Sequence, residues 1–315
     1  MKNFALIGAA GYIAPRHIRA IKDNGCNLAA AYDPHDSVGV LDSHFDSVDY
    51  FREFERFDRH VELLRRKEGQ QIDYVSICSP NYMHDAHMRF ALRVGADAIC
   101  EKPLVLNPWN VDALAQTERE SGRRINTILQ LRLHPSLITL RNEVLSTGKK
   151  DYKVSLTYIT SRGNWYLYSW KGDREKSGGL STNIGIHFFD MLQWIFGEPE
   201  EITLHHRTPR SESGFIRLER AEVSWFLSID KSNLPDGGSE GIKTFRSITV
   251  DGKEVKFSDG FTDLHTQSYT EILAGRGFGL ADVSPSIQTA YVIRNAEAKP
   301  DESKMHPSAL KAEKK

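Results

Sequence analysis

The feature that most restricts this chain is a short apolar run, residues 4–7, that opens into Gly8-Ala9-Ala10-Gly11-Tyr12-Ile13-Ala14 and then a helical pattern over 14–24. Gly11 and Ala14 fill the second and third places of a G-x-G-x-x-G/A turn. Ala9 stands where the first glycine is expected, and Gly8 is displaced by one. Small residues there let the backbone turn tightly and let a pyrophosphate approach the N–H groups of a helix N-terminus. Pro15 falls in the first helical turn, where a missing N–H costs little. The next apolar run, 28–32, ends at Asp33, 19 residues after Ala14. A carboxylate there accepts from a ribose 2′-hydroxyl and repels a 2′-phosphate, which predicts NAD rather than NADP. The bland alternatives are an ordinary strand–helix turn and a helix cap; position favours the nucleotide. The candidate cofactor contacts in this stretch are Gly8, Ala10, Gly11, Tyr12, Ile13 and Asp33.

The alternation continues. Strands are expected at 74–77, 98–100 and 125–129, and helices at 59–67, 82–94 and 111–121. Such βαβ order implies a parallel sheet covered by helices on both faces. The pattern then changes. Residues 152–158 alternate with period two, 184–196 read as a helix stopped by Gly197, and strand-like runs follow at 201–206, 221–229, 244–250 and 254–257. Strands in succession predict a mostly antiparallel open sheet. Helices return at 264–273 and 284–298. The expected fold class is α/β: an N-terminal Rossmann domain (1–130), a C-terminal α/β domain for substrate binding and oligomerisation (131–298), and a loose charged tail (299–315).

Two domains also fit 315 residues, more than one core usually takes. A formal net charge of −1 offers no global basic field for nucleic acid or an anionic membrane. Three cysteines, none in a C-x-x-C pair, argue against a disulfide framework and fit a reducing cytosol. No apolar stretch reaches the roughly 18 residues of a membrane span, so a cytoplasmic protein is expected. His205 and His206 lack a companion ligand at metal spacing, so no metal site is expected.

Two further stretches bear on function. Ser79-Pro80-Asn81-Tyr82-Met83-His84 precedes Cys100-Glu101-Lys102-Pro103. Later comes Gly178-Gly179-Leu180-Ser181-Thr182-Asn183-Ile184-Gly185-Ile186-His187-Phe188-Phe189-Asp190. With the glycine turn, the E-K-P tripeptide and the G-x-H-x-x-D helix start resemble the glucose–fructose oxidoreductase/inositol dehydrogenase (Gfo/Idh/MocA) family. The resemblance runs to about residue 298. It implies NAD as cofactor, further cofactor contacts at Ser79, Pro80, Asn81, His84, Glu101 and Lys102, catalytic roles for Lys102 and His187, and often a tetramer. Many members carry an aspartate where this chain has Asn183, which cannot take a proton but can position by hydrogen bonds. A narrower resemblance rests on Tyr158 to Asp173, with Ser79-Pro80-Asn81-Tyr82 and Gly260-Phe261-Thr262-Asp263-Leu264-His265-Thr266. It is to the UDP-N-acetylglucosaminuronate 3-dehydrogenases of bacterial surface-polysaccharide synthesis, similar in carrying asparagine at the Asn183 position. It implies a UDP-sugar acid as substrate and oxidation of its C3 hydroxyl. In some relatives 2-oxoglutarate serves as a second substrate that reoxidises the cofactor.

The residue types suit that chemistry. A histidine titrates close to working pH, and a lysine beside a cationic ring has a lowered pKa, so His187 and Lys102 can share the hydroxyl proton. Each alone is more often structural; their joint appearance in this order reverses that weighting. Residues 158–176 are rich in aromatic and basic side chains. Trp165, Tyr166 and Tyr168 can pack on a sugar or base. Arg162 can grip a carboxylate or phosphate, Lys171 can add a point charge, and Asn164 can hydrogen-bond. An interface loop is the bland alternative. A dehydrogenase of a free sugar or inositol, or a non-catalytic NAD-binding regulator, are the competing functions.

Overall fold

The structure, a computed structural model, describes residues 1–235, 243–255 and 263–313, with side chains to 311. Gly260, Phe261 and Thr262 of the motif above, and residues 256–257 of the strand expected at 254–257, lie outside the described residues. The chain divides into two compact units, Met1–Gln130 with Thr262–Ser284, and Leu131–Phe261 with Pro285–Lys315. Among the described residues the strands form two six-stranded sheets.

The N-terminal unit runs β1 (Asn3–Ile7), α1 (Ala14–Asp23), β2 (Asn27–Tyr32), β3 (Asp49–Phe51), α2 (Phe54–Arg65), β4 (Tyr74–Ile77), α3 (His84–Arg93), β5 (Asp97–Cys100), α4 (Pro108–Ser121) and β6 (Ile125–Thr127). The strand order is β3-β2-β1-β4-β5-β6 and every pairing is parallel. Residues 4–7 are all fully buried, as a strand covered on both faces requires. Phe4, Leu6, Ile18, Ile21, Leu28 and Ile99 share one core. Pro108 opens α4, and Gly122, in the left-handed conformation, closes it, the asymmetry expected of helix ends. The order reverses between β1 and β4, so the loops at their carboxyl ends separate there, the usual ligand position in such sheets.

The C-terminal unit contains α5 (Pro135–Thr147), β7 (Tyr152–Thr160), α6 (Trp165–Tyr168), α7 (Arg174–Ser177), α8 (Ile186–Phe196), β8 (Pro199–Arg207), β9 (Ser211–Leu218), β10 (Ala221–Ser228), β11 (Thr244–Val250) and β12 (Lys253–Glu254). Its order is β12-β11-β7-β10-β9-β8. Only β7–β10 is parallel among the described pairings. Leu156, Phe189, Leu192, Phe196, Val223 and Trp225 make the core between α8 and the sheet, with the Phe189 and Trp225 rings edge-on at 5.4 Å.

Two expectations need correction. Residues 262–284 group with the N-terminal unit, because α9 (Leu264–Leu273) packs on α1 and its Tyr269 enters that core. The described part of the tail is not loose. After α10 (Leu280–Asn295), α11 (Pro307–Glu313) follows Met305, and Met305 and Ala309 are buried with Ile159, Phe226 and Leu234. His306 stacks on Phe226 and places its Nε2 2.9 Å from Ser155 Oγ. Charged composition masked a short apolar face.

Candidate active site

The glycine turn is shaped by close backbone approach. Gly8 has φ +89°, and a Cβ there would lie 2.6 Å from the Cys78 carbonyl carbon, so no other residue fits without a shift. Its N–H donates to the Tyr32 carbonyl at 2.8 Å, and the Gly11 N–H returns to the Gly8 carbonyl at 3.1 Å. A Cβ on Gly11 would sit 3.1 Å from that same oxygen. Asp33 is buried and braces the turn: Oδ2 accepts the Ala10 N–H at 3.0 Å, and Oδ1 accepts the His35 N–H at 2.9 Å. Each carboxylate oxygen keeps another lone pair for a ribose hydroxyl. The Tyr50 hydroxyl donates to the Asp33 carbonyl at 2.8 Å. Tyr12 is exposed and Ile13 half-buried. The start of α1, the small-residue turn and an aspartate at the end of β2 together fit a dinucleotide.

Beyond β4 and β5 the sequence motifs turn partly inward. Ser79 Oγ lies 2.8 Å from His87 Nδ1. His84 is buried, with Nδ1 2.8 Å from the Pro103 carbonyl and Nε2 2.8 Å from the Ser79 carbonyl. It clamps the two loop ends, and both ring nitrogens face the protein. Burial pushes His84 and His87 toward the neutral form, His87 down to about 4. Pro80 and the buried Asn81 lead into the turn before α3. Glu101 likewise spends its carboxylate on the protein: His17 Nε2 and His265 Nε2 lie 2.9 and 3.0 Å from Oε1, and Oε2 accepts the Lys102 N–H at 3.2 Å. His84 and Glu101, expected as cofactor contacts, are therefore seated as internal supports. Lys102 is half-buried at the head of the cis Lys102–Pro103 peptide.

In the C-terminal unit a π turn, Ser181–Gly185, precedes α8, where the sequence predicts a helix from 184. Gly185 has no room for a side chain: a Cβ would meet Leu227 at 2.7 Å and Phe189 at 2.8 Å. That contact explains the glycine of the G-x-H motif, and His187, half-buried, follows on α8. Asn183 Nδ2 donates to the Tyr166 hydroxyl oxygen at 2.7 Å. Burial raises the Tyr166 phenol above its usual range, with the Asn183 donor pulling the other way. Asp190 accepts from Arg132 Nε at 3.0 Å and Nη2 at 2.7 Å, a nearly buried two-pronged pair. In the aromatic–basic segment, Trp165 is 53% and Tyr168 86% exposed. Lys171 Nζ stands 4.2 Å from the Trp170 ring centroid, Asn164 Oδ1 accepts from Arg210 at 2.7 Å, and Arg162 is exposed.

Two family models match the chain: the oxidoreductase family, NAD-binding Rossmann fold, over residues 2–128, and its C-terminal alpha/beta domain over 150–231. A solved structure of the WlbA (WbpB) dehydrogenase from Thermus thermophilus, in complex with NAD and alpha-ketoglutarate, is 50% identical with a TM-score of 0.93, covering 98% of this chain and 99% of its own. The chain belongs to the Gfo/Idh/MocA oxidoreductase family. A second structure of the Thermus dehydrogenase, in complex with NAD and UDP-GlcNAcA, is 48% identical at a TM-score of 0.93, covering 98% of this chain and 99% of its own. The putative oxidoreductase YteT of Bacillus subtilis is 29% identical over 182 residues, 55% of this chain and 41% of that protein. The chain spans 36–51% of the first three curated relatives it matches. As a Gfo/Idh/MocA member it is an oxidoreductase with an NAD-binding Rossmann fold. No helix among the described residues is long and apolar enough to cross a membrane.

The motifs did not point to His17, Tyr269 or Glu212, and they gave His265, which lies in the stretch 260–266, no role. Glu212 is buried on β9; its Oε2 accepts the Ser181 N–H at 2.8 Å and Oε1 accepts from Arg207 at 2.9 Å. Apart from Arg207 and Glu212, five residues apart, these partners lie far apart in the chain, and no spacing signals them.

Proposed function

We propose that this family member oxidises the C3 hydroxyl of UDP-GlcNAcA (UDP-2-acetamido-2-deoxy-D-glucuronate) to the 3-keto sugar with NAD. The observation that carries the reading is 48% identity over 98% of the chain to a dehydrogenase in complex with NAD and UDP-GlcNAcA. NAD, when bound, supplies the hydride acceptor. Gly8, Ala10, Gly11, Tyr12 and Ile13 would hold its pyrophosphate with the first turn of α1, and Asp33 its adenosine ribose. Ser79, Pro80 and Asn81 would flank it at the end of β4.

Lys102 and His187 take the hydroxyl proton between them, the imidazole as base and the ammonium as donor to the same oxygen. Asn183 cannot take a proton. It orients, and its bond to Tyr166 fixes its amide. Arg162 and Lys171 supply cations for the sugar carboxylate and the diphosphate, and Trp165 and Tyr168 supply ring faces. A 2-oxo acid such as 2-oxoglutarate serves as second substrate, taking hydride and a proton to become the 2-hydroxy acid. The protein works in the cytoplasm as a homotetramer, in the lipopolysaccharide (O-antigen) branch of sugar synthesis.

The test is incubation of the purified protein with NAD and, separately, UDP-GlcNAcA, UDP-GlcNAc, UDP-glucuronate and myo-inositol. Mass spectrometry should find a product two hydrogens lighter from UDP-GlcNAcA. Turnover of the inositol with none of UDP-GlcNAcA would replace this reading with that of a free-polyol dehydrogenase.

A further inference from the structure

Behind Lys102 lies a buried chain of polar groups that the nucleotide turn and the aromatic segment leave unused. Glu101 Oε1 is shared by His17 Nε2 and His265 Nε2, at 2.9 and 3.0 Å, while Oε2 accepts the Lys102 N–H. On its other side, His17 Nδ1 lies 2.8 Å from the Tyr269 hydroxyl, which lies 2.6 Å from Ser76 Oγ. Glu101, His17, His265, Tyr269 and Ser76 are all buried.

The proton positions follow from what each group can do. An ionised carboxylate only accepts, so both histidines donate from Nε2–H. Burial pushes His17 toward the neutral form, with Glu101 opposing. Its Nδ1 is then bare and accepts the Tyr269 O–H, and the Ser76 hydroxyl donates to the Tyr269 oxygen. Burial would by itself raise the Glu101 carboxyl. The hydrogen bonds from His17 and His265 outweigh it and hold Glu101 well below the usual carboxylate range, as several donors to one carboxylate do. Oε1 and the two Nε2 atoms also lie within 4.8 Å of one another, a spacing a metal ion could use. The donor and acceptor directions account for it without one.

We infer that Glu101 is a positioning residue for Lys102: anchored by His17 of α1 and His265 of α9, its carboxylate pins the Lys102 backbone N–H and so sets where the lysine side chain leaves the strand end. This rests on the proposed role of Lys102 in handling the substrate proton. It also gives α9 a reason to belong to the N-terminal unit, since that helix brings both His265 and Tyr269 to the network.

The test variant is Glu101→Gln, equal in size. Its carboxamide cannot accept from the two histidines and the Lys102 N–H together. We expect kcat to fall about 10- to 100-fold, the effect of leaving buried donors unpaired, while the NAD Kd changes less than about 3-fold, and Glu101→Asp recovers part of the loss. Hydrogen exchange at the Lys102 amide should accelerate in Glu101→Gln. In the wild type, 15N histidine spectra should show His17 as the Nε2–H tautomer with a bare Nδ1. Unchanged kcat and unchanged Lys102 exchange in a folded Glu101→Gln protein would overturn the inference. So would kcat and NAD affinity falling in parallel, or a stoichiometric divalent ion retained by wild type and lost in His265→Ala. Should Glu101→Gln not fold, His265→Ala should lower kcat and His265→Gln, which keeps a donor near the Nε2 position, should restore it; equal kcat in the two overturns the inference. If wild type fails to turn over UDP-GlcNAcA, the proposed function falls, while the exchange and histidine spectra still decide the network.

Discussion

In the N-terminal unit Lys102 follows a short parallel strand, and the carboxylate behind it, Glu101, is held by histidine N–H groups from two helices. In the C-terminal unit His187 opens a helix. Asp190 on that helix and Glu212, which accepts from the turn before it, are held by guanidinium groups, those of Arg132 and Arg207. Both units carry buried carboxylates, Glu101 beside Lys102 in one and Asp190 on the helix of His187 in the other, but with different donors. A neutral His17 contributes no countercharge to Glu101, so hydrogen bonds must satisfy that side of the buried carboxylate. Guanidinium donors cancel the charge, so losing one strands it. The two units should therefore fail differently.

The largest effect expected is on stability in the C-terminal unit. Arg132→Ala removes the guanidinium paired with the buried Asp190 and should cost about 3–5 kcal/mol, read as a drop in the denaturant midpoint. The surface pair Arg65–Glu62 is exposed on the arginine side, and its loss should barely register. Equal midpoints for the two variants would break the distinction between buried and solvated pairs.

Acid should weaken both units through their buried histidines, with His17 and His84 shifted in the same direction as the two that follow. His87 and His306 are both pushed down to about 4 by burial, against about 6.5 in an unfolded chain. Between those values the unfolded state binds the extra proton. Stability is therefore full above about pH 6.5 and declines as pH falls toward 4, by up to about 3 kcal/mol for each group. Thermal melts from pH 7.5 to 4.5 should show the decline, and His306→Phe, which keeps the ring against Phe226, should flatten it. A slope unchanged by that substitution would remove His306 from the account.

A smaller effect belongs to the nucleotide turn. Asp33→Ala should weaken NAD binding by about 1.5–3 kcal/mol, the worth of a hydrogen bond to a charged group, and narrow the preference over NADP. Titration of both cofactors checks it; a wild type that uses NADP as readily as NAD refutes the role given to Asp33. Smallest is Tyr166→Phe. Removing the hydroxyl that accepts from Asn183 should cost about 0.5–1.5 kcal/mol in kcat/KM, less than losing Lys102 or His187. A Tyr166→Phe enzyme as impaired as either would make the phenol a principal in the chemistry.

How much could be read in advance differs between the units for the same physical reason. The N-terminal sheet is apolar through its strands and its turn is marked by Gly8 and Gly11, so order, class and cofactor turn were legible. In the C-terminal sheet, β9 begins Ser211-Glu212-Ser213-Gly214, which reads as a turn. All four are buried: Ser213 Oγ donates to the Trp225 carbonyl at 2.7 Å, and a Cβ on Gly214 would lie 2.3 Å from the Thr203 carbonyl oxygen. Polar residues satisfied inside a sheet carry no period-two signature. Helix α5 was different, since Pro135 at its start and Gly148 just past its end are stop and start signals that were available. His17, Glu101 and His265 could not be joined from the sequence at all, because 84 and 164 residues separate the histidines from the glutamate.

The central proposal is that Lys102 and His187 both handle the substrate hydroxyl proton during oxidation of UDP-GlcNAcA. Single-turnover hydride transfer, followed by NADH absorbance in wild type, Lys102→Ala, His187→Ala and the double variant, tests it most directly. Each single substitution should lower the rate about 10²–10⁴-fold with folding and NAD binding retained. The double variant should lose less than the product of the two, as residues acting as a unit do. A full-rate Lys102→Ala enzyme, or losses that multiply independently, would contradict the account.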